Sequence, residues 1–153
     1  MISLESAQND SFVLLQLAEQ RFALPAGLVA ELAPPVRLHS FPHTSPHISG
    51  VIVRRGRILP VYDAARALSG KSSFAHRFYL VARRQFGETS EMTAIPVDGE
   101  CELVTSDFRA PANDAASYIS GEITAAGESI GILDIESLIQ SHSQPTGPTE
   151  ARQ

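Results

Sequence analysis

Cysteine occurs once in these 153 residues, as Cys101, and tryptophan not at all. A single thiol excludes an internal disulfide and suits a reducing compartment. Aromatic residues make up only 7% of the chain, so the core must be built from aliphatic side chains. No apolar run approaches the ~20 residues of a membrane-spanning helix. The N-terminus, MISLESAQND, has neither the charged nor the apolar region of a signal peptide. Basic residues are outnumbered 12 to 17, for a net charge of −5 and a pI near 5.5. A general nucleic-acid binder is normally basic, so no nucleic acid is expected. No nucleophile–base arrangement or cofactor motif is legible, so no catalysis or cofactor is expected, and no metal either. These absences describe a soluble cytoplasmic protein without direct membrane contact.

What is present is a chain of short strand-like runs. FVLLQLA (12–18), RFALP (21–25), HISGVIV (47–53), RILPVY (57–62), RFYLVA (77–82), EMTAIPV (91–97), CELV (101–104), YISGEIT (118–124) and ESIGIL (128–133) are each bounded by Gly, Pro or polar residues. That is the pattern of small β-barrels. DAARALSG (63–70) and DIESLIQS (134–141) each open on Asp, a good N-cap, and continue as short helices. Residues 1–9 and 141–153 are polar and are expected to be flexible termini.

The chain repeats itself with a shift of 71 residues. Aligning 23–68 with 94–139 without gaps gives ten identities in 46 pairs, where ordinary composition gives about three. They include Glu31-Leu32 with Glu102-Leu103, Ile48-Ser49-Gly50 with Ile119-Ser120-Gly121, Gly56 with Gly127, and Asp63 with Asp134. Two copies of one strand-rich unit follow. The duplicate serves as a control, because a feature in both copies belongs to the fold. Gly56 and Gly127 are expected to supply the positive φ of a hairpin turn. Pro60 and Gly131, both poor ladder residues, suggest a bend or an edge. A feature in one copy alone is free to serve function. One hairpin tip reads Arg54-Arg55-Gly56-Arg57, whereas the other reads Ala125-Ala126-Gly127-Glu128. The fold does not require arginine there.

FALPAGLVAEL, HISGVIVRRGRILPVYDAARAL, TAIPVDGECELV and YISGEITAAGESIGILDIESLI resemble the chemotaxis coupling proteins, the CheW-like family, over residues 10–140. The resemblance implies two SH3-like five-stranded β-barrels around a shared core, with no catalysis. It places the first barrel at about 19–75 and the second at about 76–140 plus the N-terminal strand 11–18. It implies a scaffold that joins chemoreceptor cytoplasmic tips to the regulatory domain of a histidine kinase, at receptor arrays on the inner membrane. Val29, Glu31 and Leu32 match the family's Val-x-Glu-Ile, and Gly50, Arg55 and Gly56 match its Gly-x-x-x-Leu-Arg-Gly. Val53 stands where Asn is usual and Arg54 where Leu is usual. Val29, Glu31, Leu32, Gly50, Val53, Arg54, Arg55 and Gly56 are therefore the candidate receptor- or kinase-binding residues.

Each candidate has a plainer explanation. The arginines could be a solvated tip that discourages edge pairing. Leu32, repeated as Leu103, is expected in the core. Val29 could also be core, but its counterpart in the repeat is Glu100, so exposure as a small docking patch is compatible with the fold. His39, His43 and His47 recur every fourth residue, but the intervening prolines break any helix that would align them for a metal. Asp63 and Asp134 are caps rather than a catalytic pair. Cys101 is a small half-buried residue. The alternative function is an SH3-like module that binds a protein or peptide outside chemotaxis, although the scarcity of aromatics argues against a peptide groove.

Overall fold

In the computed structural model, residues 11–40, 48–70, 78–86 and 88–143 are described. The strands are β1 (Ser11–Leu17), β2 (Gln20–Pro25), β3 (Val29–Ala33), β4 (Ile48–Arg54), β5 (Arg57–Tyr62), β6 (Phe78–Phe86), β7 (Thr89–Val97), β8 (Glu102–Thr105), β9 (Phe108–Arg109), β10 (Ile119–Ala125) and β11 (Glu128–Leu133). Two short helices, α1 (Ala64–Ser69) and α2 (Ile135–Ser143), follow β5 and β11. One sheet has the order β3-β6-β7-β5-β4 and the other β8-β1-β2-β11-β10-β9. The all-β, two-barrel class expected from the sequence is the class found.

The repeat maps β1 to β5 onto β6, β7, β8, β10 and β11. Each sheet takes β3, β4 and β5, or their equivalents, from one copy and the leading hairpin from the other. The expected division near residue 75 therefore does not follow the sheets. β2 lies in the second sheet between β1 and β11, and β6 and β7 lie in the first. Burial gives the reason. On β6, Tyr79 and Val81 enter the first sheet's own core, while Leu80 and Ala82 enter a core shared by both sheets. On β2, Phe22 and Leu24 face the shared core and Ala23 faces the second sheet's own. A hairpin apolar on both faces is buried best between two cores. The second sheet also has six strands rather than five, because β9 adds to β10. Among the described residues the first sheet has a vestige of this strand, the bridge between His39 and Val51.

The repeated residues are those the fold demands. The hairpins β4–β5 and β10–β11 share one register, including a bulge at Ile48/Gly50 and at Ile119/Gly121. A Cβ on Gly50 would lie 2.3 Å from the His39 carbonyl oxygen, and one on Gly121 would lie 2.9 Å from that of Arg109. The returning loop presses on both glycines, which explains Ile-Ser-Gly in each copy. Both tips are two-residue turns with positive φ, 53° and 75° at Arg55-Gly56 and 52° and 79° at Ala126-Gly127. This is the geometry that matches strand twist in a tight hairpin. Asp63 and Asp134 each accept the backbone N–H three residues on, from Arg66 at 3.0 Å and Ser137 at 3.2 Å, and so cap α1 and α2. β5 and β11 are not edges, contrary to one expectation from Pro60 and Gly131. Pro60, without an N–H, leaves β5 a single rung to β7, where β11 makes two to β2.

Candidate protein-contact site

β3 and β4 are the two edges of the first sheet. Glu31 on β3 and Arg54 on β4 close the seam between them. The Arg54 Nε and Nη2 donate to the two carboxylate oxygens at 3.1 and 3.0 Å. Both side chains are sheltered, at 24% and 21% exposure. Arg55 reaches the same oxygens at 3.4 Å while its side chain stays 71% exposed. The Arg54 hydrogen bonds are the main cause that holds the Glu31 carboxyl below the usual carboxylate range; burial opposes them, and Arg55 assists. Beside this pair an open groove of about 310 Å³ ends on Leu59, Val81 and Met92, and Arg55 and Arg57 stand at its rim. The groove is the open end of the first sheet's core.

The equivalent end of the second sheet is built differently. Ala125 and Ala126 replace the arginines, and Glu128 replaces Arg57. Arg21, which corresponds to Met92, approaches Glu102 at 3.8 Å and Glu128 at 3.2 Å. Glu31 and Glu102 thus each meet an arginine, supplied by different strands. One end carries two positive charges in excess of its carboxylate; the other carries Glu100, Glu102 and Glu128 against one arginine.

The outward face of the same hairpin separates the copies further. Val53 pairs with Ile58 and Val51 with Pro60. Val53 is 51% and Ile58 70% exposed. Their neighbours Ile52 and Leu59 are buried in the core. In the second copy the corresponding pairs are Thr124–Ser129 and Glu122–Gly131. There Arg109 donates to Thr124 Oγ1 at 3.1 Å and Ser129 Oγ at 2.8 Å, and meets Glu122 at 3.2 Å. One face is polar and internally satisfied, whereas the other is apolar and open to water.

The candidate residues therefore divide. Glu31, Arg54 and Arg55 form one cluster, with Gly56 in the tip beside it, and Val53 lies on the opposite face of β4. Gly50 is buried beneath His39 and offers no contact surface; its role is to admit that carbonyl. Val29 is half-buried against the shared core rather than exposed. Leu32 and Leu103, expected in the core, are 37% and 69% exposed. Arg54 faces its own carboxylate, so Arg55 and Arg57 are the cations that face outward. Ile58 was missed. The signal for it was present: a two-residue turn at Arg55-Gly56 fixes Val53 opposite Ile58, and the repeat puts Thr124 and Ser129 there.

A family model described as the CheW-like domain matches residues 11–143. The chain belongs to the CheW-like domain family. This CheW-like chain is similar to the protein FrzA of Myxococcus xanthus, with 26% identity over 149 residues covering 94% of this chain and 93% of FrzA. It is also similar to the solved scaffolding protein TtCheW from Thermoanaerobacter tengcongensis, with a TM-score of 0.69 and 21% identity over 82% of this chain and 88% of TtCheW. The second likeness is one of fold. CheW-like proteins are scaffolds of chemotaxis signalling. Of the histidines considered for a metal, His39 contributes backbone to the bridge with Val51, and His43 and His47 lie outside the described residues. Among the described residues no cluster of three or more His, Cys, Asp or Glu could hold a metal ion, and no helix is long and apolar enough to cross a membrane. Burial pushes the Cys101 thiol up to about 11, which keeps it protonated and unreactive at neutral pH.

Proposed function

We propose that this CheW-like protein is a non-enzymatic coupler that holds a chemoreceptor cytoplasmic tip and the regulatory domain of a histidine kinase on two faces of the β4–β5 hairpin. It works in the cytoplasm, next to receptor arrays that its partners tether to the inner membrane. The observation that carries this reading is the contrast between copies. The fold accepts Thr124 and Ser129 on the outer face, yet the first copy keeps Val53 and Ile58 exposed there. An exposed apolar pair on a paired strand, where polar residues would serve the fold, marks a contact surface.

The two faces suit different partners. The outer face is flat and apolar and fits a like-folded β domain, the kinase's regulatory domain. The groove at Arg55 and Arg57 is narrow, apolar at its base and cationic at its rim, and fits a receptor helix laid along it. The rigid strands between them fix the relative orientation of the two partners. A receptor shift can then bias the kinase between conformations that differ by a few kcal/mol.

The test is a three-component capture. Immobilised kinase regulatory domain should retain a receptor tip fragment only when the CheW-like chain is added. Ile58→Ser should abolish retention of the chain by the kinase domain while leaving its binding to the receptor fragment intact. Failure of the wild-type chain to bind either partner would refute the coupling function.

A further inference from the structure

The groove already holds one carboxylate, and it is the protein's own. Glu31 takes both donors of Arg54 in a bidentate pair at 3.0 and 3.1 Å, which satisfies its two oxygens. Arg55 touches the same oxygens only at 3.4 Å and keeps 71% of its side chain in water. Among the described residues the Arg57 side chain has no hydrogen bond or ion pair. Both arginines line the groove, whose base is Leu59, Val81 and Met92. In a chain of net charge −5, three arginines against one carboxylate at one groove are a local departure from the whole. The equivalent end of the second copy has the opposite excess, so the fold imposes neither sign.

We propose that Arg55 and Arg57 form a carboxylate-reading pair. It takes a Glu or Asp side chain on a helical segment whose adjacent Leu-like residues lie on Leu59, Val81 and Met92. Arg54 is not part of the reader. By making the shorter pair with Glu31 it weakens that carboxylate's hold on Arg55, which stays at 3.4 Å, and it is a positioning residue. The substitution of Arg for the family's usual Leu at position 54 acquires a purpose in this arrangement. With an uncharged residue there, Glu31 would draw Arg55 inward. The inference rests on the groove being the receptor-facing surface, and it names the chemistry that the surface selects.

The test uses the full chain and two synthetic amphipathic helical peptides. Each has leucines along one stripe. One carries glutamates at i and i+4 beside the stripe; its twin carries glutamines. Titration into ¹⁵N-labelled protein should move the side-chain Nε–H signals of Arg55 and Arg57 with the glutamate peptide and leave that of Arg54 nearly still. The glutamate peptide should bind roughly fivefold more tightly than its twin, the scale of one exposed ion pair with good geometry. Arg57→Gln should erase that difference, and rising salt should narrow it. Equal binding of the two peptides, a response centred on Arg54, or no response at the groove would each overturn the proposal. A receptor tip fragment titrated in parallel separates the two readings. If the peptides are discriminated but the fragment does not bind, the carboxylate reader stands and the receptor assignment falls.

Discussion

Replacing Ile58 by serine is the most informative single change. Ile58 is 70% exposed, and Ser129 occupies the same position in the second copy of an identical hairpin register. The substitution therefore introduces nothing the fold has not already accommodated. Stability should change by no more than about 0.5 kcal/mol, as for most surface positions. Binding should respond differently. Fully burying an isoleucine is worth about 1.5–3 kcal/mol, so covering the exposed share contributes about 2 kcal/mol, or roughly 30-fold in Kd. Calorimetric titration against the kinase regulatory domain measures the loss, and a thermal melt of the same sample checks the fold. Unchanged affinity with an unchanged melt would refute the assignment of the outer face. A melt lowered by many degrees would refute the argument that the second copy licenses serine there.

Other consequences follow from the geometry. Gly50→Ala should cost at least about 2 kcal/mol, because its Cβ would collide with a backbone carbonyl at 2.3 Å and its φ of 152° is strained for alanine. Gly56→Ala, with open space around it, should cost only about 1 kcal/mol, so chemical denaturation should rank the two. The Glu31 carboxyl is held below its ordinary value, so its contribution to stability is present above the usual carboxylate range and is lost as pH falls through the lowered value. Glu31→Gln should accordingly flatten the acid limb of a stability–pH curve and leave its alkaline limb unchanged. Thr93 is fully buried and its Oγ1 has no hydrogen-bond partner among the described residues. Thr93→Val should be neutral or stabilise by up to about 1 kcal/mol in urea titration, and a clear loss would reveal a partner for the hydroxyl.

Much of this molecule was legible from its residues, and the exceptions have identifiable causes. The Asp caps, the positive-φ tips and the duplicated hairpins depend on local chemistry, and each formed where the local pattern placed it. The exchange of leading hairpins between sheets did not follow from the repeat, because internal alignment identifies equivalent segments and not their neighbours. A clue lay in FVLLQLA and RFYLVA, which are apolar on both faces, whereas β10 alternates apolar and polar residues. The Glu31–Arg54 pair was out of reach for a related reason. It joins the two edges of one sheet, and which strands form the edges is a property of the whole fold. Ile58 was within reach. The copies differ in charge at the tip, but the contrast in hydrophobicity one residue further along, Ile58 against Ser129, separates them more cleanly. Leu32 was misjudged because identity in both copies was equated with burial, although both leucines sit on edge strands with an open outward side.

Hydrogen exchange across the two equivalent hairpins tests the central claim most directly. With saturating receptor tip fragment and kinase regulatory domain, residues 48–62 should gain protection while residues 119–133, of the same register and turn, should exchange as in the free chain. Protection of 119–133 with 48–62 unaffected, or equal protection of both, would contradict the account.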